Sequence, residues 1–351
     1  MTVLVALSLA IAGIATNQAL GGVANRGIPG APASNPLAGL QLGNYTGSGD
    51  EVFPAYEAAS GSQRTLLGKV ALTPRMRWFG SWNAPADQTA ADYVANVTGG
   101  NPAVLSQMAV FRLQPWENEA TRRLPSPAEQ AAYRSWIDGF AAGIGGARVA
   151  LVLQPDLPFA LSVPHHSTLP LRLVGYAARR FSALSHTTVY IDVGASDWAT
   201  GAQAVSLLRG AGVRYTRGFA LGATHYATTA DEVRFGGRVV GGLAHDGIRG
   251  MHFVVNTAQN GAGFTYQQYH QPSSFDNATV CRYRGQSRCV TLGIPPTTDV
   301  ANRRWRLPAS VRRLAGRYED ANLWIGRPWL DNQNDPFDLA RSLALARTAP
   351  F

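Results

Sequence analysis

Lysine is almost absent from this sequence of 351 residues: Lys69 is the only one, although the formal net charge is +9. Arginine therefore carries the positive charge, a bias that a GC-rich genome can produce by itself and that would also attract an anionic polymer or membrane surface. Charged residues make up only 15% of the chain, which excludes long disordered acidic or basic tails. Because no run of adjacent arginines is longer than two and no basic helix is predicted, nucleic acid is not an expected partner.

The motifs that bind cofactors and metals are also missing. No GxGxxG follows the first predicted strand and no GxxxxGK[ST] occurs, which argues against a nucleotide-binding open sheet. No GxSxG marks a serine hydrolase, and the histidines and cysteines lack the spacing of metal ligands. We therefore expect no cofactor and no metal ion, and no stable protein partner is implied.

The longest apolar run covers residues 3–15, which is shorter than the ~20 apolar residues that a membrane-spanning helix needs. Polar residues follow this run, and the small residues Gly13 and Ala15 suit a cleavage site. We predict that residues 1–15 are a signal peptide, with a weak uncleaved anchor as the alternative. The protein is then expected to be secreted or associated with the cell envelope.

The chain contains two cysteines, Cys281 and Cys289. In an exported protein, two cysteines at this short separation predict a disulfide formed in an oxidising compartment. The alternative is a pair of free thiols in a reduced cytoplasm.

The chain divides into an irregular segment and a long region of alternating strands and helices. Residues 16–50 are rich in Gly, Pro and Ala and lack periodicity, so we interpret them as a linker or arm. Seven short β-type runs follow, at residues 75–79, 107–113, 149–154, 188–193, 216–221, 251–256 and 321–326. Apolar strands joined by helices are typical of a buried parallel sheet with right-handed crossovers. The sequence therefore predicts an α/β fold in which residues 51–351 form a β/α barrel.

Three helix starts are indicated by capping patterns. Ser126 with Glu129, and Thr229 with Glu232, have the spacing of a capping box. Asp335-Pro336 predicts the start of the last helix, because proline is tolerated at the first helical position.

Polar and aromatic side chains gather where the predicted strands end. In parallel barrels the loops after these ends form the active site. Here they carry Trp78, Trp82, Trp116, Glu117, Asp156, Asp192, Asp197, Trp198, His225, Asn256, Asn260, Trp329, Asp331 and Asn332. Indole rings stack on sugar faces, and glycosidic cleavage needs paired carboxylates. A polysaccharide or oligosaccharide substrate is therefore expected, with core packing as the alternative for Trp78 and Trp198.

The motifs at these strand ends resemble those of glycoside hydrolase family 6, the inverting β-1,4-glucanases and cellobiohydrolases. They read LVLQPD at 151–156, YIDVG at 190–194 with Trp198, RGFA at 217–220 with THY at 224–226, FVVNT at 253–257 with NG at 260–261, and LWI at 323–325 with RP at 327–328. The resemblance runs from about residue 35 to residue 347. It implies a distorted seven-stranded parallel β/α barrel.

The resemblance also implies catalytic roles. Asp156 corresponds to the general acid that protonates the leaving oxygen, and Asp192 or Asp331 would orient or activate water. Glu117 would raise the pKa of the acid, because two nearby carboxylates resist full ionisation. Inversion needs room for a water, so acid and base should stand about 6.5–9.5 Å apart. The substrate-binding residues would be Trp78, Trp198, His225, Asn256, Asn260, Trp329 and Asn332.

Several residues typical of the family are replaced. Glu117 stands in place of an aspartate, Ala195 of a histidine, Gly222 of an asparagine and Gly326 of a lysine, and Asn332 takes the place of the aspartate often proposed as base. The acid is retained while the glucose-binding groups are fewer. The sequence therefore predicts glycoside hydrolysis without specifying cellulose. The alternative is a non-catalytic carbohydrate-binding or envelope protein on a decayed hydrolase scaffold.

Overall fold

The structure is a computed structural model that describes residues 34–269 and 272–351. The predicted signal segment, residues 1–15, and residues 16–33 of the predicted arm lie outside the described residues and remain predictions. Within the described ranges, no helix is both long enough and apolar enough to cross a membrane.

Parallel strands form the central sheet. They are β1 (Gln41–Leu42), β2 (Arg77–Phe79), β3 (Val104–Val110), β4 (Val149–Leu153), β5 (Thr187–Asp192), β6 (Gly218–Leu221), β7 (His252–Asn256) and β8 (Glu319–Leu323). Strand β3 pairs with both β1 and β2, and the order then follows the chain to β8. Because β1 has only two residues, seven strands form the body of the sheet, and each overlaps one predicted run. The predicted α/β fold of seven parallel strands is confirmed.

The two edges of this sheet, β2 and β8, are joined by individual hydrogen bonds and not by strand pairing. In the described part of the chain, no ladder pairs β8 with β2. Instead, the Met76 N–H donates to the carbonyl of Trp324 over 2.8 Å, and the indole of Trp78 donates to the carbonyl of Ile325 over 2.7 Å. The seven strands therefore form a half-barrel, which is the distortion that the resemblance implies.

Helices flank the sheet. They are α1 (Phe53–Ala58), α2 (Gly61–Ala71), α3 (Ala86–Thr98), α4 (Glu117–Ala120), α5 (Pro127–Ile144), α6 (Leu169–Ser182), α7 (Gly201–Gly210), α8 (Thr229–His245), α9 (Ala309–Tyr318) and α10 (Leu339–Thr348). A small hairpin of β9 (Leu330–Asp331) and β10 (Asn334–Phe337) precedes α10.

The capping residues explain where these helices begin. The predicted capping box of Ser126 and Glu129 opens α5. The cap of α8 is Thr228, one residue before the predicted Thr229, because its hydroxyl accepts from the N–H of the third helical residue. The start predicted at Asp335-Pro336 is wrong: these residues lie in β10, and α10 is capped by Asp338.

Two hydrophobic layers stabilise the half-barrel. The interior is filled by alternate residues of the strands, many of them small, such as Ala109, Ala150 and Ala220. The opposite faces of the strands pack against the helices, where Phe140 of α5 is fully buried. Alternation of this kind places every second side chain of a strand inside the barrel.

Part of the predicted arm belongs to the folded domain. Leu37 is fully buried in the barrel interior, and β1 pairs with β3. The Asn35 side chain donates to the carbonyl of Asp320 over 2.7 Å. The folded region therefore begins before the predicted boundary at residue 51, because these residues bury apolar surface without showing strand periodicity.

A second cluster of aromatic residues packs under the loops after β7 and β8. We call Tyr226, Phe264, Phe275, Trp324 and Trp329 the rim cluster. The predicted disulfide between Cys281 and Cys289 is present in the same region.

Candidate functional site

A cleft of about 940 Å³ opens at the carboxyl ends of the strands. This volume lies at the upper end of the roughly 300–1,000 Å³ of most small-molecule pockets, so the cleft has room for an oligosaccharide. Its acidic lining residues, among those described, are Glu117, Asp156, Asp197 and Asp276. Its aromatic lining includes Trp78, Trp82, Trp116, Phe159, Trp198 and Tyr266.

Asp156 is held in the wall of the cleft by contacts on both its backbone and its side chain. It follows β4 in a sharp turn, where its φ is 65° and that of Gln154 is 54°. The Asp156 N–H donates to Asp192 Oδ2 over 3.1 Å, and the Thr224 hydroxyl donates to Asp156 Oδ1 over 2.7 Å. A carboxyl restrained in this way has a defined direction into the cleft.

The surroundings of Asp156 favour its protonated form. Burial raises its pKa to about 6, although the hydrogen bond from Thr224 and the charge of His225 act in the opposite direction. The charges of Glu117 and Asp276 add smaller upward contributions. A carboxyl with a pKa close to the operating pH can donate a proton efficiently.

Asp192 lies against the backbone of Asp156 and not across the cleft. Its Oδ2 accepts hydrogen bonds from the N–H groups of Asp156 and, over 2.9 Å, Gly194. Burial, followed by the charge of Asp156, raises the pKa of Asp192 well above its ordinary value. The side chain has no exposed surface, so it cannot contact a water in the cleft. This geometry gives no support to the predicted activation of water by Asp192, which instead holds the backbone of Asp156 through a hydrogen bond.

Glu117 and Asp276 are the two exposed carboxylates of the cleft. Glu117 begins α4, and partial desolvation by the cleft walls, together with the charge of Asp276, raises its pKa. The predicted influence of Glu117 on Asp156 is electrostatic, since no hydrogen bond joins these two side chains. Asp276 has no counterpart among the residues predicted from the sequence.

A histidine–aspartate pair lies beside the acid. His225 Nδ1 is 2.9 Å from Asp197 Oδ1, and the Tyr266 N–H donates to Asp197 Oδ2 over 2.6 Å. Burial alone would raise the pKa of Asp197, but its hydrogen bond with His225 and the charge of that ring outweigh burial and lower it. The His225 ring stacks on Trp198, with centroids 4.7 Å apart. The His225 ring therefore covers one face of the Trp198 indole and holds it in position beside the cleft.

The tryptophans of the cleft differ in how much surface they offer to a sugar. Trp78 is only 7% exposed, and the Arg327 guanidinium covers its ring at 4.7 Å, so the structure favours core packing for it. Trp82 is 53% exposed and meets Trp116 edge-on, with centroids 6.5 Å apart. Trp82 is therefore the indole most open to the cleft, whereas Trp116 is partly buried and stacks on Phe111 with centroids 5.2 Å apart. Their position after strands was the only signal for either residue in the sequence.

Besides Asp192, four predicted site residues lie outside the cleft lining. Asn256 donates to the carbonyl of Gly222 over 2.8 Å and accepts from the N–H groups that follow β8, so it joins strand ends. Asn260 is buried and bonds backbone carbonyls. Trp329 is fully buried in the rim cluster, and Asp331 accepts from Asn277 over 2.6 Å.

The residue type after a predicted strand does not reveal whether a side chain points to the cleft or to the underlying core. Asn256 ends β7, whereas the other three residues lie in the loops and the hairpin beyond the strands. Of the remaining predictions, His225 and Asn332 do line the cleft, as do Trp78 and Trp198.

Comparison with known proteins identifies the family. A sequence model described as "Glycosyl hydrolases family 6" matches residues 43–306. The chain belongs to this family.

Curated relatives in family 6 include two bacterial endoglucanases. The chain is 32% identical over 222 residues to endoglucanase A of Cellulomonas fimi, a match that covers 63% of this chain and 47% of that protein. It is 30% identical over 251 residues to endoglucanase 1 of Streptomyces sp. (strain KSM-9), covering 68% of this chain and 65% of that one. The chain thus spans about half to two thirds of the length of these relatives.

A solved family 6 structure aligns with most of the chain. It is the endoglucanase Cel6 of Mycobacterium tuberculosis in complex with methyl-cellobiosyl-4-deoxy-4-thio-β-D-cellobioside. The TM-score is 0.71 at 26% identity, and the alignment covers 89% of this chain and 98% of that one. A family 6 enzyme of Orpinomyces sp. Y102 aligns with a TM-score of 0.67 at 18% identity, which shows the shared fold.

Two of the replaced family 6 positions have a structural explanation in this chain. A side chain at Gly326 would place its Cβ 1.9 Å from Gln259 Oε1, so no lysine fits here. Gly222 has a φ of +72°, which side chains rarely adopt, and it lies against the buried Glu232. Both positions therefore suit glycine in this chain.

Proposed function

We propose that the protein is an inverting glycoside hydrolase that cleaves a polysaccharide, either a β-glucan or a cell-envelope glycan, with Asp156 as the general acid. The observation that carries this proposal is the setting of Asp156. It lies in the wall of a long cleft, its backbone is held by Asp192, and burial raises its pKa to about 6. Family membership supports the same reaction.

The open cleft favours a glycan chain as substrate. Its volume of about 940 Å³ is lined by indole and carboxylate groups. Sugar rings stack on indole faces, and Trp82 exposes such a face. The solved relative from M. tuberculosis holds a cellobiose-derived ligand, which supports β-1,4-linked glucose as the first substrate to test.

The first experiment measures released reducing ends on a panel of β-glucans and envelope glycans. Wild-type protein is compared with Asp156→Asn and with Asp92→Asn, a matched control on the exposed surface of α3. We expect activity on at least one glycan, its loss in Asp156→Asn and its retention in the control. Equal activity in all three proteins would refute the role of Asp156.

A non-catalytic carbohydrate-binding protein is the second candidate. It is favoured by Asn332, an amide at the cleft position where the sequence comparison places the family's base, and by Asp331, whose carboxylate bonds Asn277 outside the cleft lining. This candidate predicts that glycans bind to wild-type protein and to Asp156→Asn with equal affinity, and that no reducing ends appear.

We propose that the protein is exported and acts outside the cytoplasm. The Cys281–Cys289 disulfide supports it, because disulfides persist in oxidising compartments. Thiol labelling of denatured protein from the native host tests this proposal: we expect no labelled cysteine before reduction.

A further inference from the structure

Asp276 differs from the other acidic residues of the cleft in its position in the fold. It lies in the segment after β7, whereas Glu117 and Asp156 follow the neighbouring strands β3 and β4. Glu117 and Asp156 also line a smaller, largely apolar recess with Leu113 and Leu157, and Asp276 does not. Glu117 and Asp156 therefore belong to one wall of the cleft, which we call the acid wall. We call the side of the cleft that carries Asp276 the facing wall, because β7 lies three strands away from β4 in the sheet.

Three contacts fix the backbone around Asp276. Phe275 is buried in the rim cluster, where its ring lies 5.1 Å from that of Tyr226. The Tyr226 hydroxyl donates to the Asp276 carbonyl over 2.9 Å, and the Asn277 side chain donates to Asp331 over 2.6 Å. The Asp276 carboxylate itself is exposed in the cleft and accepts no hydrogen bond from any described residue. It is thus positioned and available to water.

Glu117 lies on the same wall as Asp156, and three other carboxylates near the cleft are engaged elsewhere. Asp192 has no exposed surface. Both oxygens of Asp197 accept or share hydrogen bonds. Asp331 is bonded to Asn277 and does not line the cleft. None of the three can take a proton from a water in the cleft without first losing these contacts.

We propose that Asp276 is the catalytic base, an inference that rests on the hydrolase function proposed above. Asp276 removes a proton from a water whose oxygen attacks the anomeric carbon. At the same time, the bond from that carbon to the glycosidic oxygen breaks, and Asp156 protonates the leaving oxygen. One water is consumed, Asp276 ends protonated and Asp156 ionised, and proton exchange with solvent restores both.

The placement and the charges agree with this role. An inverting pair stands about 6.5–9.5 Å apart with a water between the two groups, an arrangement that two facing walls allow. After burial, the charge of Asp276 is the next contribution that raises the pKa of Glu117, and it also raises that of Asp156. The ionised base therefore helps to keep the acid protonated.

The test compares Asp276→Ala with wild type, Asp156→Asn and the surface control Asp92→Asn. The substrate is a 2,4-dinitrophenyl cello-oligosaccharide, whose leaving group needs no proton. We expect Asp156→Asn to retain most of its rate, and Asp276→Ala to lose about 10²–10⁴-fold, since general-base catalysis contributes that much. Azide needs no base, so adding it should restore the rate of Asp276→Ala and yield a glycosyl azide of inverted configuration.

Two results would overturn the assignment. One is a rate for Asp276→Ala within about threefold of wild type. The other is a large loss that azide does not restore, which would show that Asp276 binds substrate only. Failure of the hydrolase function itself is distinguishable, because wild-type protein would then release no product from this substrate or from any glycan.

Discussion

The two walls of the cleft are built in different ways. The acid wall comes from the ends of β3 and β4, and its carboxyl Asp156 is half-buried and hydrogen-bonded to Thr224. The facing wall comes from the segment after β7, which rests on the rim cluster, and its carboxyl Asp276 is exposed. Burial raises the pKa of the first group, which suits a proton donor, and exposure of the second leaves it open to water. One site thus obtains an acid and a base from carboxyls of the same chemical type.

The two walls also differ in how directly their contacts hold the carboxyl. On the acid wall, the side chains of Asp192 and Thr224 form hydrogen bonds directly with Asp156. On the facing wall, Asp276 is held indirectly, through its neighbours in sequence. Substitutions on the acid wall should therefore change proton donation by Asp156. Substitutions behind the facing wall should change only how precisely Asp276 is positioned.

The largest effect is expected for Asp156→Asn on natural glycans. Removal of the acid should lower kcat by about 10³-fold or more, and much less with a 2,4-dinitrophenyl leaving group, because only proton donation is lost. Steady-state kinetics on both substrates measure this difference. An equal loss on both would contradict the acid role.

A smaller effect is expected for Asp331→Ala, behind the facing wall. It removes the hydrogen bond from Asn277, which contributes about 1 kcal/mol, so kcat should fall about fivefold. The pH dependence should stay unchanged, because Asp331 does not contact the acid. Asp331→Asn, which keeps an acceptor oxygen, is the matched control and should lie closer to wild type. A loss as large as that of Asp156→Asn would restore Asp331 as a candidate base.

The pH profile tests the hydrogen bond on the acid wall. Activity needs protonated Asp156, so kcat/KM should fall as the pH rises through about 6. The hydroxyl of Thr224 lowers this pKa, and Thr224→Val should therefore move the alkaline limb to higher pH. Thr224→Ser keeps the hydroxyl and should leave the limb in place. A shift of the limb to lower pH in Thr224→Val would refute this account.

The smallest effect on activity is expected for loss of the disulfide. The Cys281–Cys289 bond closes a loop with a sequence separation of 8, so it should contribute at most about 2–3 kcal/mol to the free energy of unfolding. Denaturant unfolding of the Cys281→Ser/Cys289→Ser variant measures this loss, while kcat at low temperature should stay near wild type. Complete unfolding of the variant would contradict this prediction and show that the disulfide stabilises the whole fold and not only its own loop.

The same contrast explains what could be predicted from the sequence. The half-barrel and the position of Asp156 follow from apolar strands and from short motifs directly after them. Asn256 ends β7 and Trp329 follows β8, but both side chains are buried, which residue type alone does not reveal. Asp276 lies about twenty residues beyond β7 in an irregular segment, where no periodicity connects it to the cleft. The packing of Phe275 in the rim cluster and the hydrogen bonds around it bring Asp276 to the cleft.

The anomeric configuration of the first product tests the central claim most directly. Proton NMR can follow hydrolysis of a β-linked cello-oligosaccharide before mutarotation equilibrates the product. If a water attacks from the wall opposite Asp156, the new reducing end must appear first as the α-anomer. Initial formation of the β-anomer would contradict the account, because it requires a covalent intermediate and places a nucleophile, not a base, across the cleft from Asp156.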